Sequence, residues 1–235
     1  GGIRVHAVLP PVATAGTLIS VRVPRHGAPS LDDLVRGGLC DEPVADRLRA
    51  AVAERANLLV TGAAGAGKTT LLGALLAEAP ADERIVLIED VAELRIRHPH
   101  VVALQARQAN LEGAGGVGLD ALLREALRMR PDRIVVGECR GAELRELLSA
   151  LNTGHDGGAG TLHANALADV PARLEALGAA AGMTPDAVAR QAASAFDLVV
   201  HVQRSATGRR IGGAGRLRFE AGRLEVVPVT PEAES

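Results

Sequence analysis

Residues 57–72 read NLLVTGAAGAGKTTLL, an apolar run, a loop rich in glycine and alanine, and a second apolar run. Residues 62–69 fit the pattern G-x-x-x-x-G-K-[ST]. The backbone N–H groups of such a loop can surround a phosphate at the positive end of the helix that follows. The segment therefore predicts a buried strand, a phosphate-binding loop and a helix, which is the start of an α/β fold.

The lysine of this loop is the only lysine in the chain. Of 26 lysine and arginine residues, one is Lys68, so the other 25 are arginine. A narrow nest of N–H groups admits a compact ammonium on a flexible stem more readily than a broad planar guanidinium. We expect Lys68 to bridge the β- and γ-phosphates of a nucleotide and the Thr69 hydroxyl to bind Mg²⁺. The other residues predicted to bind phosphate are Gly62, Ala63, Ala64, Gly65, Ala66, Gly67 and Thr70.

The composition limits the fold and the partners. The 235 residues are 47% hydrophobic but only 1% aromatic, so the core must consist of Ala, Val and Leu, which favours α/β layering. A net charge of −2 and the scarcity of aromatics argue against direct nucleic-acid binding. Because the chain begins with glycine rather than methionine, we expect that it lacks its natural N-terminus.

The chain alternates between strand and helix patterns from residue 57 onward, which indicates a mostly parallel sheet flanked by helices. Before it, strands at 3–9 and 17–23 resemble the end of a truncated N-terminal domain, and Ser30 and Asp33 form a capping-box pattern. We predict a domain remnant and linker at 1–29 and a phosphate-binding α/β domain at 30–235. Predicted strands are 57–61, 84–89, 100–105, 132–137 and 159–162; predicted helices are 43–55, 68–79, 119–129, 141–151, 166–182 and 185–195; two C-terminal β-hairpins turn at 206–209 and 220–223.

Acidic residues follow two of the predicted apolar strands. IVLIED (85–90) ends in Glu89 and Asp90, with Glu93 close behind, and RIVVGE (133–138) ends in Glu138. Carboxylates at the carboxyl edge of a parallel sheet point into the ligand crevice, where they can hold a metal or orient water. Acids are also favoured at solvated helix N-termini, which is the alternative interpretation of Glu89 and Glu93.

Several sequence blocks together resemble the type II/type IV secretion ATPase superfamily, and most closely its Tad/Flp pilus assembly branch. They are HAVLPPVATAGTLISVR (6–22), GAAGAGKTT (62–70), RIVLIEDVAELRI (84–96), LRMRPDRIVVGECRGAE (127–143) and NTGHDGGAGTLHAN (152–165). They are similar to the end of that family's N-terminal domain, its phosphate loop, its Asp box, its Walker B region and its His box. In the Walker B region glycine, here Gly137, precedes the glutamate.

The resemblance implies a RecA-like ATPase that binds ATP and Mg²⁺ and assembles as a hexamer. Glu89, with Glu93 as second choice, would polarise the attacking water, and Glu138 would hold Mg²⁺ through water. His163, with His155 second, would sense the γ-phosphate; without the resemblance both are ordinary loop histidines. Of the many arginines, Arg22 and Arg140 are the first candidates to stabilise the phosphate charge, ahead of Arg107, Arg124 and Arg128.

The resemblance also implies a place of action. The leading hypothesis is a motor that couples ATP hydrolysis to an inner-membrane platform protein, peripheral to the membrane on the cytoplasmic side of a bacterial cell. One alternative is a DNA-translocating or conjugative transfer ATPase, for which the basic segment 204–223, with Arg209 and Arg210, is the available patch. Another is a nucleotide-binding scaffold with little turnover in the truncated chain.

Overall fold

Strands and helices alternate through most of the chain. The computed structural model describes residues 3–23, 27–110, 114–205 and 208–229. The strands are β1 (Arg4–Val8), β2 (Leu18–Arg22), β3 (Leu58–Gly62), β4 (Ile85–Glu89), β5 (Val101–Gln105), β6 (Arg133–Cys139), β7 (Ala159–His163), β8 (Leu198–Ser205), β9 (Gly208–Glu220) and β10 (Arg223–Pro228). The α-helices are α1 (Leu31–Arg36), α2 (Glu42–Ala53), α3 (Lys68–Leu76), α4 (Leu119–Leu127), α5 (Glu143–Leu151), α6 (Val170–Ala180) and α7 (Pro185–Ala195), with a 3₁₀ turn at Leu167–Asp169.

An eight-stranded sheet in the order β10-β9-β8-β3-β7-β6-β4-β5 forms the centre of the molecule. Neighbouring strands from β8 to β5 in this order are parallel. β9 pairs antiparallel with β8 and β10 pairs antiparallel with β9, so these three strands form two successive hairpins. The predicted α/β fold with a mostly parallel sheet and C-terminal hairpins is therefore confirmed. Because the strands that carry the predicted site are parallel, their carboxyl ends lie at one edge; Gly62 of β3, for example, pairs with His163 of β7.

Helices cover both faces of this sheet, and neighbouring residues of one strand point to opposite faces. Leu59 of β3 packs with α4–α7, whereas Leu58 and Val60 pack with α1–α3. Burial on both faces explains why these strands are continuous apolar runs rather than alternating ones. The core is aliphatic, as the composition predicts, and Phe196 is the one buried aromatic side chain among the described residues.

Local features of the chain confirm some predicted element boundaries and shift others. The capping box is confirmed: Ser30 caps α1 and Asp33 reaches back to it. The helix predicted at 166–182 begins instead as the 3₁₀ turn and continues as α6, which has Pro171 in its first turn, where proline is tolerated. The turn predicted at 220–223 is confirmed, with positive φ at Ala221 and Gly222, whereas residues 206 and 207 of the other predicted turn lie outside the described residues.

β1 and β2 form a separate antiparallel ribbon. Its connection to the larger sheet includes a bidentate ion pair between Arg22 and Glu93, with nitrogen–oxygen distances of 2.9 and 3.0 Å. The division at residue 29 stays a prediction. Large apolar side chains of the ribbon are 56–80% exposed, namely Ile3, Val5, Leu9, Val12, Leu18, Ile19, Val21 and Val23. No helix in the described ranges is long and apolar enough to cross a membrane.

A buried arginine secures the edge of the sheet opposite the predicted site. The side chain of Arg133, at the start of β6, is 1% exposed and forms an ion pair with Glu83. Its Nη2 donates to the Val52 carbonyl at 2.8 Å, and Arg55 holds the other oxygen of Glu83 at 2.5 Å. These contacts tie the end of α2 to the starts of β4 and β6.

Candidate nucleotide site

The glycine-rich loop between β3 and α3 has a backbone that requires glycine. Gly62, Gly65 and Gly67 have φ values of 152°, 69° and 107°. Residues other than glycine rarely adopt these positive φ values. A Cβ on Gly62 would lie 2.3 Å from the Val202 carbonyl oxygen, so β8 also requires glycine there. The loop ends at the N-terminus of α3, where the helix dipole favours a bound anion. Ala64, Gly65, Gly67, Lys68, Thr69 and Thr70 line the adjoining cavity, and Ala66 is buried behind them.

The Lys68 ammonium lies inside the loop. Lys68 is 6% exposed, and its Nζ donates to the carbonyls of Gly62 at 3.0 Å and Ala63 at 3.1 Å. Nζ is also 3.4 Å from Nδ1 of His163. Burial lowers the pKa of Lys68, and the nearby Glu138 carboxylate partly opposes this. The ammonium is thus held by two neutral acceptors at the mouth of a loop shaped for a phosphate.

His163 connects Lys68 to an acidic cluster. Its Nε2 is 2.6 Å from Oε1 of Glu138. Burial, followed by the charge of Lys68, lowers the pKa of His163, and Glu138 opposes the shift. A neutral ring with the proton on Nε2 satisfies both neighbours, because Nε2–H then donates to Glu138 while Nδ1 accepts from Lys68.

Glu138 is the centre of a further pair of contacts. Its Oε2 accepts from Nε of Arg140 at 2.8 Å, and Nη2 of Arg140 reaches Asp90 at 3.0 Å. The structure therefore brings together four predicted residues, Lys68, His163, Glu138 and Arg140, at the carboxyl edge of the sheet. Asp90 joins this set, although no sequence pattern favours Asp90 over Glu89.

Glu89 has a structural task at this edge and explains the glycine before Glu138. Glu89 is 5% exposed, and its Oε1 accepts from the backbone N–H groups of Glu93 at 3.0 Å and Leu94 at 2.8 Å. A Cβ on Gly137 would lie 2.6 Å from Cγ of Glu89. An aspartate at position 137 would occupy the same space, so glycine at this position admits the Glu89 side chain.

The cavity formed by these elements has a volume of about 670 Å³. Its lining also includes Arg22 of the ribbon, the ion-pair partner Glu93 after β4, and Arg209 of β9. For Mg²⁺, Thr69 and Glu138 offer oxygen ligands, and Mg²⁺ bound with a nucleotide needs only one or two protein oxygens beside phosphate and water. In the described part of the chain no group of three or more His, Cys, Asp or Glu residues could hold a metal alone.

His155 and Arg209 depart from the sequence expectation. His155 precedes β7 and therefore lies at the amino edge of the sheet, where its Nδ1 is 3.3 Å from the Ala150 carbonyl. It does not line the cavity. Arg209, assigned from the sequence to a surface patch, instead contacts the phosphate loop through Gly65. No local signal could have revealed this contact, since 144 residues separate the two positions.

The mostly parallel sheet, the phosphate loop after β3 and the acids after β4 and β6 define a P-loop nucleotide-binding fold. Residues 2–209 match the family described as Type II/IV secretion system protein, and the chain belongs to this family. The resemblance to the secretion ATPase superfamily is thereby confirmed.

Named relatives agree with this assignment. The chain is 53% identical over 228 residues to a Mycobacterium tuberculosis protein provisionally named a conjugal transfer protein, covering 97% of this chain and 65% of the relative. It is 36% identical over 214 residues to the conjugal transfer protein TrbB of Rhizobium radiobacter, covering 90% of this chain and 63% of the relative. The chain therefore spans less than two thirds of these relatives.

Solved structures support the RecA-like fold. The VirB11 ATPase of the Brucella suis type IV secretion system, in complex with sulphate, superimposes with a TM-score of 0.65 at 28% identity, covering 91% of this chain and 73% of that one. The pilus retraction motor PilT with bound ADP gives a TM-score of 0.63 at 21% identity, covering 98% and 64%. At this identity the second likeness concerns the fold alone. The chain thus belongs to the secretion system family, and the solved structure to which it is 28% identical is that of a secretion ATPase.

Proposed function

We propose that this chain is the ATPase part of a motor that hydrolyses MgATP in a pilus assembly or secretion machine. The observation that carries the proposal is the Lys68 ammonium, held in the phosphate loop and connected through His163 to Glu138. The motor would act as a homohexamer, at the cytoplasmic face of the inner membrane of a bacterium, and pass its movement to a membrane platform protein. Family membership supports the secretion role; assignment to the Tad/Flp branch rests on the sequence blocks.

The residues at the carboxyl edge suggest a division of labour. The loop N–H groups and Lys68 would bind the phosphates, while Thr69 and Glu138 would hold Mg²⁺, which neutralises charge on the phosphate oxygens. His163 contacts Lys68, so movement of the ammonium from His163 towards a bound γ-phosphate would change the His163–Glu138 contact. The sensing role falls to His163 rather than to His155, which is remote from the cavity.

Water activation needs a positioned carboxylate. Two backbone N–H groups fix one oxygen of Glu89, which favours it as the group that orients the attacking water. Glu93, the second choice, is engaged by Arg22. Arg22 and Arg140 would supply positive charge to the transferred phosphoryl group; both currently contact acids, so phosphate would compete with carboxylates for them.

The decisive experiment compares Lys68→Ala and Lys68→Arg with the parent in the full-length protein. We expect both variants to lose ATP turnover by about 100-fold or more while remaining folded, because arginine cannot replace the compact ammonium. Arg36→Ala, which removes an exposed charge from the end of α1 outside the cavity lining, is the matched control and should keep full turnover. Turnover by Lys68→Ala at the parent rate would contradict the proposal.

Protein concentration separates a motor from a scaffold. If neighbouring subunits complete each site, turnover per subunit should rise with protein concentration over the range in which the hexamer forms. ATP binding without phosphate release at any concentration would instead favour a nucleotide-binding scaffold. Sedimentation velocity on the same samples reports the oligomeric state.

A conjugative transfer ATPase is the second candidate, because the named relatives in Mycobacterium and Rhizobium carry conjugal transfer names. Net charge and the scarcity of aromatics oppose direct DNA contact. Salt-dependent binding of single-stranded DNA, abolished by changing Arg209 and Arg210 together, would favour this candidate. Absence of such binding in the active full-length enzyme would leave DNA, if it is the cargo, to other components of the machine.

A further inference from the structure

An arginine from the C-terminal hairpin lies against the outer side of the phosphate loop. Nε of Arg209 donates to the Gly65 carbonyl at 3.2 Å. The stem of the side chain crosses Gly67, where a Cβ would lie 3.1 Å from Cδ of Arg209. Arg209 is also part of the cavity lining. We propose that Arg209 is a nucleotide-binding residue that contacts the phosphates common to ADP and ATP; this inference rests on the proposed function.

The fold holds Arg209 at this place through the backbone. β8 runs parallel to β3, so the end of β8 and the phosphate loop share the carboxyl edge of the sheet. β9 returns alongside β8, with Arg209 paired opposite Arg204. Two residues further on, the Ile211 N–H donates to the Leu39 carbonyl at 2.7 Å, which fastens β9 to the segment before α2. From this position on β9 the Arg209 side chain extends over the loop to Gly65.

Arg209 differs from the other basic residues of the site in having no acidic neighbour among the described residues. Arg22 is paired with Glu93, Arg140 with Glu138 and Asp90, and Lys68 lies near Glu138. Arg209, in contrast, forms no ion pair with any acid of the described ranges, and only its Nε makes a hydrogen bond there. Its terminal nitrogens remain as donors beside a loop shaped for polyphosphate, and a guanidinium binds phosphate oxygens in a bidentate manner.

The contacts divide the loop between the two basic residues. Lys68 holds the carbonyls of Gly62 and Ala63, next to His163, where the proposed function locates the γ-phosphate. Arg209 contacts the loop further along, at Gly65 and Gly67. A residue on this side of the loop meets phosphates that both nucleotides possess. Its loss should therefore weaken ADP and ATP equally, which a γ-phosphate sensor would not do.

The test measures dissociation constants of ADP and ATP by calorimetry for Arg209→Ala in the full-length protein. We expect both affinities to fall about 10- to 100-fold. Arg209→Lys, which keeps the charge but not the fork, should fall between the parent and the alanine variant. Arg209→Gln can still donate to the Gly65 carbonyl but has no charge, so we expect it to bind as weakly as Arg209→Ala.

Arg210→Ala is the matched control. Arg210 is the next residue of β9, points to the opposite side of the strand and pairs with Gln203 on β8, so its loss should leave both affinities unchanged. Full binding by Arg209→Ala or by Arg209→Gln, a loss confined to ATP, or an equal loss in Arg210→Ala would overturn the inference. If the parent hydrolyses ATP while Arg209→Ala binds normally, only this inference fails; a parent that binds neither nucleotide overturns the proposed function with it.

Discussion

The close approach of Glu89 to Gly137 makes Gly137→Ala the sharpest probe of this site. The new methyl carbon would start 2.6 Å from Cγ of Glu89 and 3.1 Å from its Oε1, both well inside van der Waals contact. Cγ lies in the middle of the Glu89 side chain, so the clash cannot be relieved by a small swing of the carboxylate. Glu89 must change rotamer and withdraw from the N–H groups of Glu93 and Leu94.

The expected cost follows from these contacts. Crowding of a packed position by one methyl group costs about 1–3 kcal/mol. A hydrogen bond to a charged group contributes about 1.5–3 kcal/mol. Glu93 lines the cavity, so water can replace Glu89 at its N–H group, whereas the Leu94 N–H is buried, and we therefore count one lost hydrogen bond. We therefore expect Gly137→Ala to lower the free energy of unfolding by about 3 kcal/mol and to reduce ATP turnover strongly.

Urea unfolding followed by circular dichroism is the suitable assay, because the chain has no Trp or Tyr to report by fluorescence. The matched control is Gly160→Ala in β7, where the nearest atom to the added carbon is Sγ of Cys139 at an ordinary 3.4 Å; we expect a loss below about 1 kcal/mol there. Glu89→Ala removes the group that Gly137→Ala displaces, so the double variant should be about 2 kcal/mol more stable than the sum of single effects predicts. Additive effects, or a Gly137→Ala variant as stable as Gly160→Ala, would refute this account of the glycine.

Two further predictions concern other charged groups. Arg133→Met removes a buried cation and leaves the Val52 carbonyl beside an apolar side chain. Because Arg55 still pairs with Glu83, we expect the free energy of unfolding to fall by about 3 kcal/mol, the low end for a broken buried ion pair. A decrease of less than about 1 kcal/mol in urea unfolding would contradict this prediction. The pKa of His163 is lowered by burial and by Lys68, so the folded state binds fewer protons than the unfolded state below about pH 6.5. Stability should therefore decrease as pH falls from about 6.5 towards the lowered pKa, and His163→Gln should make this decrease shallower; parallel pH profiles of parent and variant would exclude the effect.

The fold follows from the sequence to the extent that its signals are local. The apolar run before residue 62 and the glycines of the loop predict β3, the loop and α3 without tertiary information. The capping residues likewise predict where α1 begins. The order of strands in the sheet is not a local property, because continuous apolar strands such as β3 and β6 carry no mark of which neighbour they will pair with.

The candidate site shows the same limit. The end of an apolar strand and the family's Walker B block both predict Glu138, whereas only the family's His box predicts His163. The fold brings the two side chains within hydrogen-bonding distance. His155 belongs to the same block, yet it precedes β7 whereas His163 ends it, so one strand separates the two rings. The reason for Gly137 and the position of Arg209 are contacts between distant segments, and neither has a counterpart in the spacing of residues along the chain.

The solitary lysine of the phosphate loop gives the protein a built-in chemical reporter. Apart from the N-terminal amine, Lys68 is the only primary amine in the chain, so an amine-selective acylating reagent can form a stable amide at only one side chain. The lowered pKa increases the fraction of reactive free amine at a given pH, while burial of Lys68 limits access to it. A bound nucleotide would cover this amine, and the rate at which intact-protein mass spectrometry and peptide mapping detect its acetylation would measure occupancy of the site directly, without a labelled ligand.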